Sequence, residues 1–316
     1  MPKWLKRTTG YVLLAFFILF NVMMASQAYY FTHFFPLTEK PATTAQMSGM
    51  AKWKALLLGM PFYKSKVADS LTIPHQNITL TTADGQELSA WWIPKDSALG
   101  TIILFHGHGS NKSALIPEEK AFHTLGYQVL AIDFRAHGNS TGTICTVGYK
   151  EAADVKAAYN YVKAHTQQPV ILYGISLGAA TILQAMQQYA LNPDKIILEM
   201  PFGNLQKAAE GKLRTMHLPT EPLAAALTFW GGIEQGFWAF HFKPQDAATA
   251  VHCPVLLQWG LQDQRVTQSE TNTIFKNLAS HHKEMVVYAL SHHQSLLQNE
   301  PAKWGKTVSD FLYKQY

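Results

Sequence analysis

The pentapeptide Gly174-Ile175-Ser176-Leu177-Gly178 contains the residue types that an acyl-transfer reaction needs. It follows an apolar run that ends at Tyr173 and precedes a helical pattern that begins at Ala179, which is typical of a nucleophile at a sharp strand-to-helix turn. Glycines allow the backbone to turn where a Cβ would clash, so the serine hydroxyl stands clear of the sheet. The pentapeptide alone is also compatible with an ordinary glycine-bounded turn. The neighbouring segments of the sequence are therefore needed to distinguish the two interpretations.

Short apolar strands and amphipathic helices alternate on both sides of this turn. The predicted strands cover residues 101–105, 127–132, 169–173, 195–199, 254–259 and 285–289. The helical patterns between and after them cover about 111–125, 148–165, 179–189, 269–280 and 301–313. This alternation predicts an α/β fold with a mostly parallel central sheet and helices on both faces. A turn signal at residues 83–85, between apolar runs at 75–82 and 86–94, predicts an antiparallel hairpin at one edge.

Two polar residues follow later strands at the edge where an open α/β sheet places its site. Asp263 lies just beyond the strand that ends near Trp259, and His293 lies just beyond the strand that ends at Ala289. The chain order Ser176, Asp263, His293 is that of the α/β-hydrolase triad. Glu199, also at a strand end, is the alternative acid.

The loop after Ala289 contains two adjacent histidines, His292 and His293. The phase between Ala289 and the apolar pair at residues 296–297 favours His293 as the general base. We expect His292 to be a solvated loop residue.

From about residue 74 to 313 the chain resembles the α/β-hydrolases, and within them the serine aminopeptidase-like group of membrane-anchored or exported enzymes. The segments that carry the resemblance are 106–109, 133–140, 174–178, 260–263 and His293 with the apolar residues after it. The resemblance implies an α/β-hydrolase fold that hosts esterases, lipases, thioesterases, peptidases and acyltransferases. It also implies that the loop containing Asp133, Arg135 and His137 is mainly structural. We expect His106 to anchor its loop by hydrogen bonding.

The predicted chemistry is hydrolysis of an ester, thioester or amide through an acyl-enzyme. Ser176 would be the nucleophile, His293 the general base and Asp263 the residue that orients the imidazole. The backbone N–H groups of His108 and Leu177 would receive the oxyanion. An acyltransferase with the same triad and a catalytically silent binding module are the alternatives.

The expected substrate is a small-molecule or lipid-like acyl compound, with no cofactor. No histidine pair has the helical spacing beside a glutamate that a zinc protease requires, so we expect no metal. The net charge of +5 comes from scattered basic residues without an aromatic-basic motif, so we expect no nucleic-acid partner. Hydrophobic content of 47% with 15% charged residues indicates a well-buried globular chain. The sequence leaves the oligomeric state open.

The strand-helix alternation lapses between residues 202 and 251, in a stretch rich in Ala, Trp, Phe, Gly and Pro. Its position between two strands predicts a small helical cap over the site. Its aromatic residues either offer apolar surface to a substrate or pack against the core. The sequence is compatible with both.

The amino terminus predicts a membrane segment. A basic flank at residues 1–9, with Lys3, Lys6 and Arg7, precedes an apolar stretch at 10–31 that is long enough to span a bilayer. Basic residues stay on the cytoplasmic side, so the catalytic domain is expected on the other side. A cleavable signal peptide is the alternative, because residues 26–28 fit a cleavage site.

The predicted organisation is completed by a connector at 32–73 and a hydrolase domain at 74–316. The connector contains a loose apolar stripe, with Met50, Trp53 and Leu57 among its members. We expect this stripe to pack against the domain, with the bilayer surface as the alternative.

Overall fold

The computed structural model describes residues 3–36, 47–68 and 71–316 of the chain. Its helices are α1 (Lys3–Thr32), α2 (Gly49–Leu58), α3 (Ile116–Thr124), α4 (Ala152–His165), α5 (Leu177–Tyr189), α6 (Leu205–Thr215), α7 (Leu223–Gln235), α8 (Pro244–Ala247), α9 (Gln268–Asn277), α10 (Leu296–Asn299) and α11 (Pro301–Tyr313). Its strands are β1 (Phe34–Phe35), β2 (Phe62–Tyr63), β3 (Gln76–Thr81), β4 (Glu87–Ile93), β5 (Thr101–Phe105), β6 (Gln128–Ile132), β7 (Val170–Ile175), β8 (Lys195–Glu199), β9 (Val255–Gly260) and β10 (Lys283–Tyr288).

Eight strands form one sheet in the order β10-β9-β8-β7-β5-β6-β4-β3. The strands from β10 to β6 are parallel, whereas β4 is antiparallel to both β6 and β3. The predicted α/β fold and its antiparallel edge are therefore confirmed. All residues of β5 and β9 are buried, as expected for central strands covered on both faces.

One predicted helix is shorter than its pattern suggested. The helix predicted from about residue 148 begins at Ala152, because the preceding residues form a turn around the Glu151 carboxylate. That carboxylate accepts hydrogen bonds from the backbone N–H groups of Thr146 (2.9 Å) and Gly148 (2.7 Å). A local side-chain acceptor thus competes with helix formation.

The predicted cap region contains α6, α7 and α8, between β8 and β9. Some of its aromatic residues pack inward and others face outward. Phe242 is buried in the core and Phe237 stacks on Tyr149 with ring centroids 4.2 Å apart, whereas Trp238 is 49% exposed. The cap therefore both packs on the domain and presents apolar surface.

Helix α1 is long and apolar enough to cross a membrane. Helix α2 packs beside it, where the Gln27 amide donates to the backbone oxygen of Ala55 (3.1 Å). The expectation that the connector stripe packs against the domain is wrong for Met50 and Trp53, which are 80% and 63% exposed. The reason is that α1 holds α2 through the backbone oxygens of α2. The face of α2 that carries Met50 and Trp53 therefore stays exposed in the described part of the chain. Connector residues 37–46 and 69–70 lie outside the described residues.

Candidate active site

Ser176 lies between the end of β7 and the start of α5. Its backbone has φ 54° and ψ −107°, in a region that residues with a Cβ rarely adopt. A hydrogen bond from its N–H to the Glu199 carbonyl (2.8 Å) holds this conformation. Strain of this kind, of order 1–3 kcal/mol, persists where the surrounding structure enforces it, and it clusters at functional sites.

The two glycines of the pentapeptide are required by close backbone contacts. A Cβ on Gly174 would lie 2.5 Å from the carbonyl carbon of Gly178. A Cβ on Gly178 would lie 2.1 Å from the backbone oxygen of Phe105 at the end of β5. The start of α5 therefore approaches the sheet as closely as it does only because both positions lack a side chain.

The side chains of Ser176, His293 and Asp263 lie in one chain of hydrogen bonds. His293 Nε2 is 2.8 Å from Ser176 Oγ, and His293 Nδ1 is 2.7 Å from Asp263 Oδ2. With the imidazole proton on Nδ1, that atom donates to the carboxylate and Nε2 accepts from the hydroxyl. This is the arrangement in which an imidazole can take the proton of an attacking serine.

Asp263 is held from two directions. Its side chain is fully buried, and Oδ1 accepts hydrogen bonds from the N–H groups of Arg265 (2.7 Å) and Val266 (3.0 Å). One carboxylate oxygen is thus fixed by the backbone while the other faces His293. The second contact orients the imidazole ring.

The two alternatives considered from the sequence lie elsewhere. His292 is exposed, and its Nδ1 contacts the backbone oxygen of Gln262 (3.0 Å). The Glu199 carboxyl is buried and accepts from Trp304 Nε1 (2.6 Å) and Gln258 Nε2 (3.3 Å). Neither side chain contacts Ser176 or His293 among the described hydrogen bonds.

Two backbone N–H groups near Ser176 have no acceptor among the described residues. They belong to Leu177, the first residue of α5, and to His108, in the turn after β5. Gly107, which precedes His108, lies against the nucleophile, since a Cβ there would be 3.8 Å from Ser176 Cβ. Free donors beside a nucleophile are what an oxyanion hole requires.

Histidines hold the loops around these donors. His106 Nδ1 donates to the Gly107 oxygen (2.8 Å) while its Nε2 accepts from the Phe134 N–H (3.1 Å). His137 Nε2 accepts from the Gly109 N–H (3.1 Å). Burial lowers the pKa of His106 to about 4 and that of His137 to about 3, which keeps both rings neutral and able to accept.

The loop with Asp133 and Arg135 is tied by two buried ion pairs and one partly exposed pair. Lys112 Nζ is 2.6 Å from Asp133 Oδ2, and both side chains are fully buried. Arg135 contacts Asp154 and Asp84, each at 2.7 Å. All the charged groups of this loop are engaged in holding it.

Two contacts at the site were not foreseen from the sequence. Ser295, two residues after His293, donates to the Glu118 carboxyl, and burial raises the pKa of Glu118 to about 8. A buried carboxyl that favours its protonated form thus contacts the loop of His293. At the other side Phe31, near the end of α1, stacks on His108 with ring centroids 4.6 Å apart. Neither contact has a local sequence signal, because each joins segments that are far apart in the chain.

Comparisons with known proteins agree with this fold. Residues 96–231 match the family model described as serine aminopeptidase, S33. The solved structure of the esterase Pf2001 from Pyrococcus furiosus is similar with a TM-score of 0.67 at 25% identity, over 79% of this chain and 96% of the esterase. This chain has the α/β-hydrolase fold.

Two further proteins are similar to this chain in sequence. The uncharacterized membrane protein YNL320W of Saccharomyces cerevisiae is 25% identical over 250 residues, which cover 78% of this chain and 82% of the yeast protein. The lysophosphatidylserine lipase ABHD12 of Xenopus tropicalis is 23% identical over 187 residues, which cover 55% of this chain and 46% of the lipase. The proteins similar to this chain therefore include an esterase, a lipase and a membrane protein.

Proposed function

We propose that this α/β-hydrolase is a membrane-anchored serine hydrolase that cleaves an acyl ester, thioester or amide. The observation that carries the proposal is the hydrogen-bonded series Ser176, His293, Asp263 beside two free backbone N–H groups. Fold alone would not support it, because this fold hosts many functions.

In the first half-reaction, Ser176 Oγ forms a bond to the acyl carbonyl carbon while its proton passes to His293 Nε2. The N–H groups of His108 and Leu177 receive the resulting oxyanion. Collapse breaks the bond to the leaving group, which takes the proton from His293. Asp263 stabilises the imidazolium in between.

In the second half-reaction, water replaces the leaving group. His293 removes a proton from the water as its oxygen bonds to the acyl carbon, and Ser176 leaves with that proton to restore the resting enzyme. An acyltransferase would differ only in using an alcohol, thiol or amine in place of water. A silent binding module would have no use for an aligned nucleophile.

The substrate class proposed is a lipid-like or other acyl compound with an apolar part. Exposed apolar side chains on the cap support this, as does the lipase among the relatives. The direct test is reaction with a fluorophosphonate, which labels only an activated serine. Labelling of the full chain supports hydrolase or transferase function, and absence of labelling in folded protein contradicts both.

The proposed setting is a single span with the catalytic domain on the non-cytoplasmic side. Met24 and Ala28 of α1 are buried, and α1 continues to Thr32 without a break. Cleavage after Ala28, as a signal peptide would require, would sever a helix that packs on the domain. These contacts support an uncleaved anchor.

We therefore predict that the protein stays in the membrane fraction in high salt and at alkaline pH and is released only by detergent. Amino-terminal sequencing of the product should find residues before Tyr29, and protease should reach the domain only from the non-cytoplasmic face. A soluble product that begins at Tyr29 would show export after cleavage. Access from the cytoplasmic face would reverse the topology.

A further inference from the structure

The outer helix of the cap is apolar almost all round. Among the thirteen residues of α7, Glu234 is the only charged one. Phe229 and Ile233, four residues apart on one face, are 38% and 54% exposed. A helix of this composition belongs in a protein core or in lipid. In the described part of the chain, however, the face with Phe229 and Ile233 is exposed.

Helix α7 packs along the second half of α1. Trp230 Nε1 donates to Asn21 Oδ1 (3.2 Å), and Gln235 Nε2 donates to Thr32 Oγ1 (3.1 Å). Asn21 and Thr32 are separated by about 16 Å along α1, at 1.5 Å per residue. Helix α7 thus packs along α1 over about half of the distance that a helix needs to span a membrane.

The apolar surface of α1 continues onto α7. A groove of about 400 Å³ runs between them, lined by Phe17, Ile18, Asn21, Val22, Ala25 and Trp230. Asn21 supplies its only polar side chain, and that side chain is bonded to Trp230. A surface continuous with a spanning helix shares the depth of that helix in the bilayer.

We propose that the α7 face formed by Phe229, Trp230 and Ile233 lies in the lipid bilayer beside α1. This inference rests on α1 being the proposed anchor. Helix α7 also packs on α6, and α1 ends against His108. The bilayer would therefore border the cap, whose helix α6 packs on the loop of Asp263, and acyl chains would reach the site without crossing water.

The test is photocrosslinking of the full chain in phosphatidylcholine and phosphatidylglycerol vesicles. Phe229 or Ile233 is replaced with p-benzoylphenylalanine. The matched control places the same group at Leu99, which is 51% exposed just before β5, at the end of the sheet where the parallel strands begin. Lipid adducts detected by mass spectrometry are expected at 229 and 233 and not at 99. Equal lipid adducts at all three positions, or adducts to a second copy of the chain, would overturn the proposal.

A different observation concerns charge at the site. The backbone of α6 packs directly on the loop of Asp263, since a Cβ on Gly211 would lie 2.2 Å from the Arg265 oxygen. Arg214 Nη2 also donates to that oxygen (2.8 Å). Lys212, next to Gly211, and Arg265, two residues from Asp263, are thereby brought to the same edge of the site.

Neither of these two cations has a side-chain partner in the described part of the chain. Lys207 and Arg214, also on α6, pair with Glu210 at 2.8 Å and 3.5 Å. Burial and the charge of Arg265 lower the pKa of the half-buried Lys212. Besides burial and His137, the charges of Lys212 and Arg265 lower the pKa of His108, so both cations act on the oxyanion loop.

We propose that Lys212 and Arg265 bind an anionic group, a phosphate or carboxylate, of the ester substrate. Arg265 is exposed and Lys212 is half-buried, so both remain accessible to an anion, and guanidinium and ammonium groups bind such anions through charge-assisted hydrogen bonds. The inference deepens the proposed hydrolase function and rests on it. The anion can belong to a lipid headgroup or to a soluble ester.

The test compares matched esters with and without the anion. The lipid pair is a monoacylglycerol and the corresponding lysophosphatidic acid, and the soluble pair is glycerol monobutyrate and its 3-phosphate. In Lys212→Gln, KM for the phosphorylated esters should rise about tenfold while their kcat and the turnover of the neutral esters are unchanged. Arg265→Gln should raise the ratio of KM for the phosphorylated esters to KM for the neutral esters in the same direction. Lys207→Gln, the control whose cation is already paired with Glu210, should change neither KM nor kcat.

The pattern across the esters decides the source. If KM rises only for lysophosphatidic acid, the bound anion is a lipid headgroup. If KM rises for both phosphorylated esters, the site binds the phosphate whatever the length of the acyl chain. Equal effects on neutral and anionic esters, or none, would overturn the subsite. If no ester is turned over, the hydrolase proposal fails, and calorimetry of glycerol 3-phosphate against glycerol then tests the subsite alone, with no preference for the phosphate contradicting it.

Discussion

Ser176→Ala is expected to remove fluorophosphonate labelling and to lower kcat on an activated ester by on the order of 10⁴-fold or more. The hydroxyl oxygen is the atom that would bond to the acyl carbon, and nothing else in the described hydrogen-bond series can replace it. His293 and Asp263 would remain in place, but without an oxygen to activate.

The protein should stay folded, so the loss will report chemistry. Alanine retains the Cβ of serine, so the strain at φ 54° is unchanged, and the lost hydroxyl bonds only to His293. Circular dichroism and the unfolding midpoint should match those of the parent. Ser309→Ala, at a partly exposed position of α11, is the control and should leave labelling and turnover intact. Parent-level activity in Ser176→Ala would refute the nucleophile assignment.

His293→Ala is expected to lose turnover on a similar scale, whereas its neighbour variant His292→Ala should weaken it only modestly. The two changes remove the same ring from adjacent positions of one loop. Only His293 lies between Ser176 Oγ and Asp263 Oδ2, while His292 faces solvent and contacts a backbone oxygen. Steady-state kinetics of both variants on one activated ester measures the difference.

Chemical rescue distinguishes a lost base from a disturbed loop. Added imidazole should restore part of the turnover of His293→Ala, because the vacated space lies beside Ser176 Oγ. It should restore none in Ser176→Ala, which lacks the nucleophile. If His292→Ala proves the more damaged variant, the general base lies one residue upstream.

Local sequence patterns were sufficient for the sheet and for the turn at Ser176. The spacing of apolar residues along the chain reflects which side chains are buried. The continuous apolar run at residues 101–105 therefore predicted the central strand β5, whose residues are all buried. The flanking glycines predicted a close backbone approach, and both Gly174 and Gly178 meet backbone atoms at distances that exclude a Cβ. Chain order then placed Asp263 and His293 at one edge of the sheet, because parallel strands end together.

Side-chain contacts depend on residues distant in the chain, so the sequence could not supply them. The phase after Ala289 favoured His293 over His292, but only the packed loops bring its Nε2 to 2.8 Å from Ser176 Oγ, 117 residues away. The same applies to Glu199, whose acceptor capacity is used by Trp304, 105 residues later. The apolar runs of α1 and α7 showed that each prefers to leave water, but only the tertiary structure decided that they pack on each other. A hydrophobic pattern specifies that a face is buried, whereas its partner is specified by shape and hydrogen bonds between whole elements.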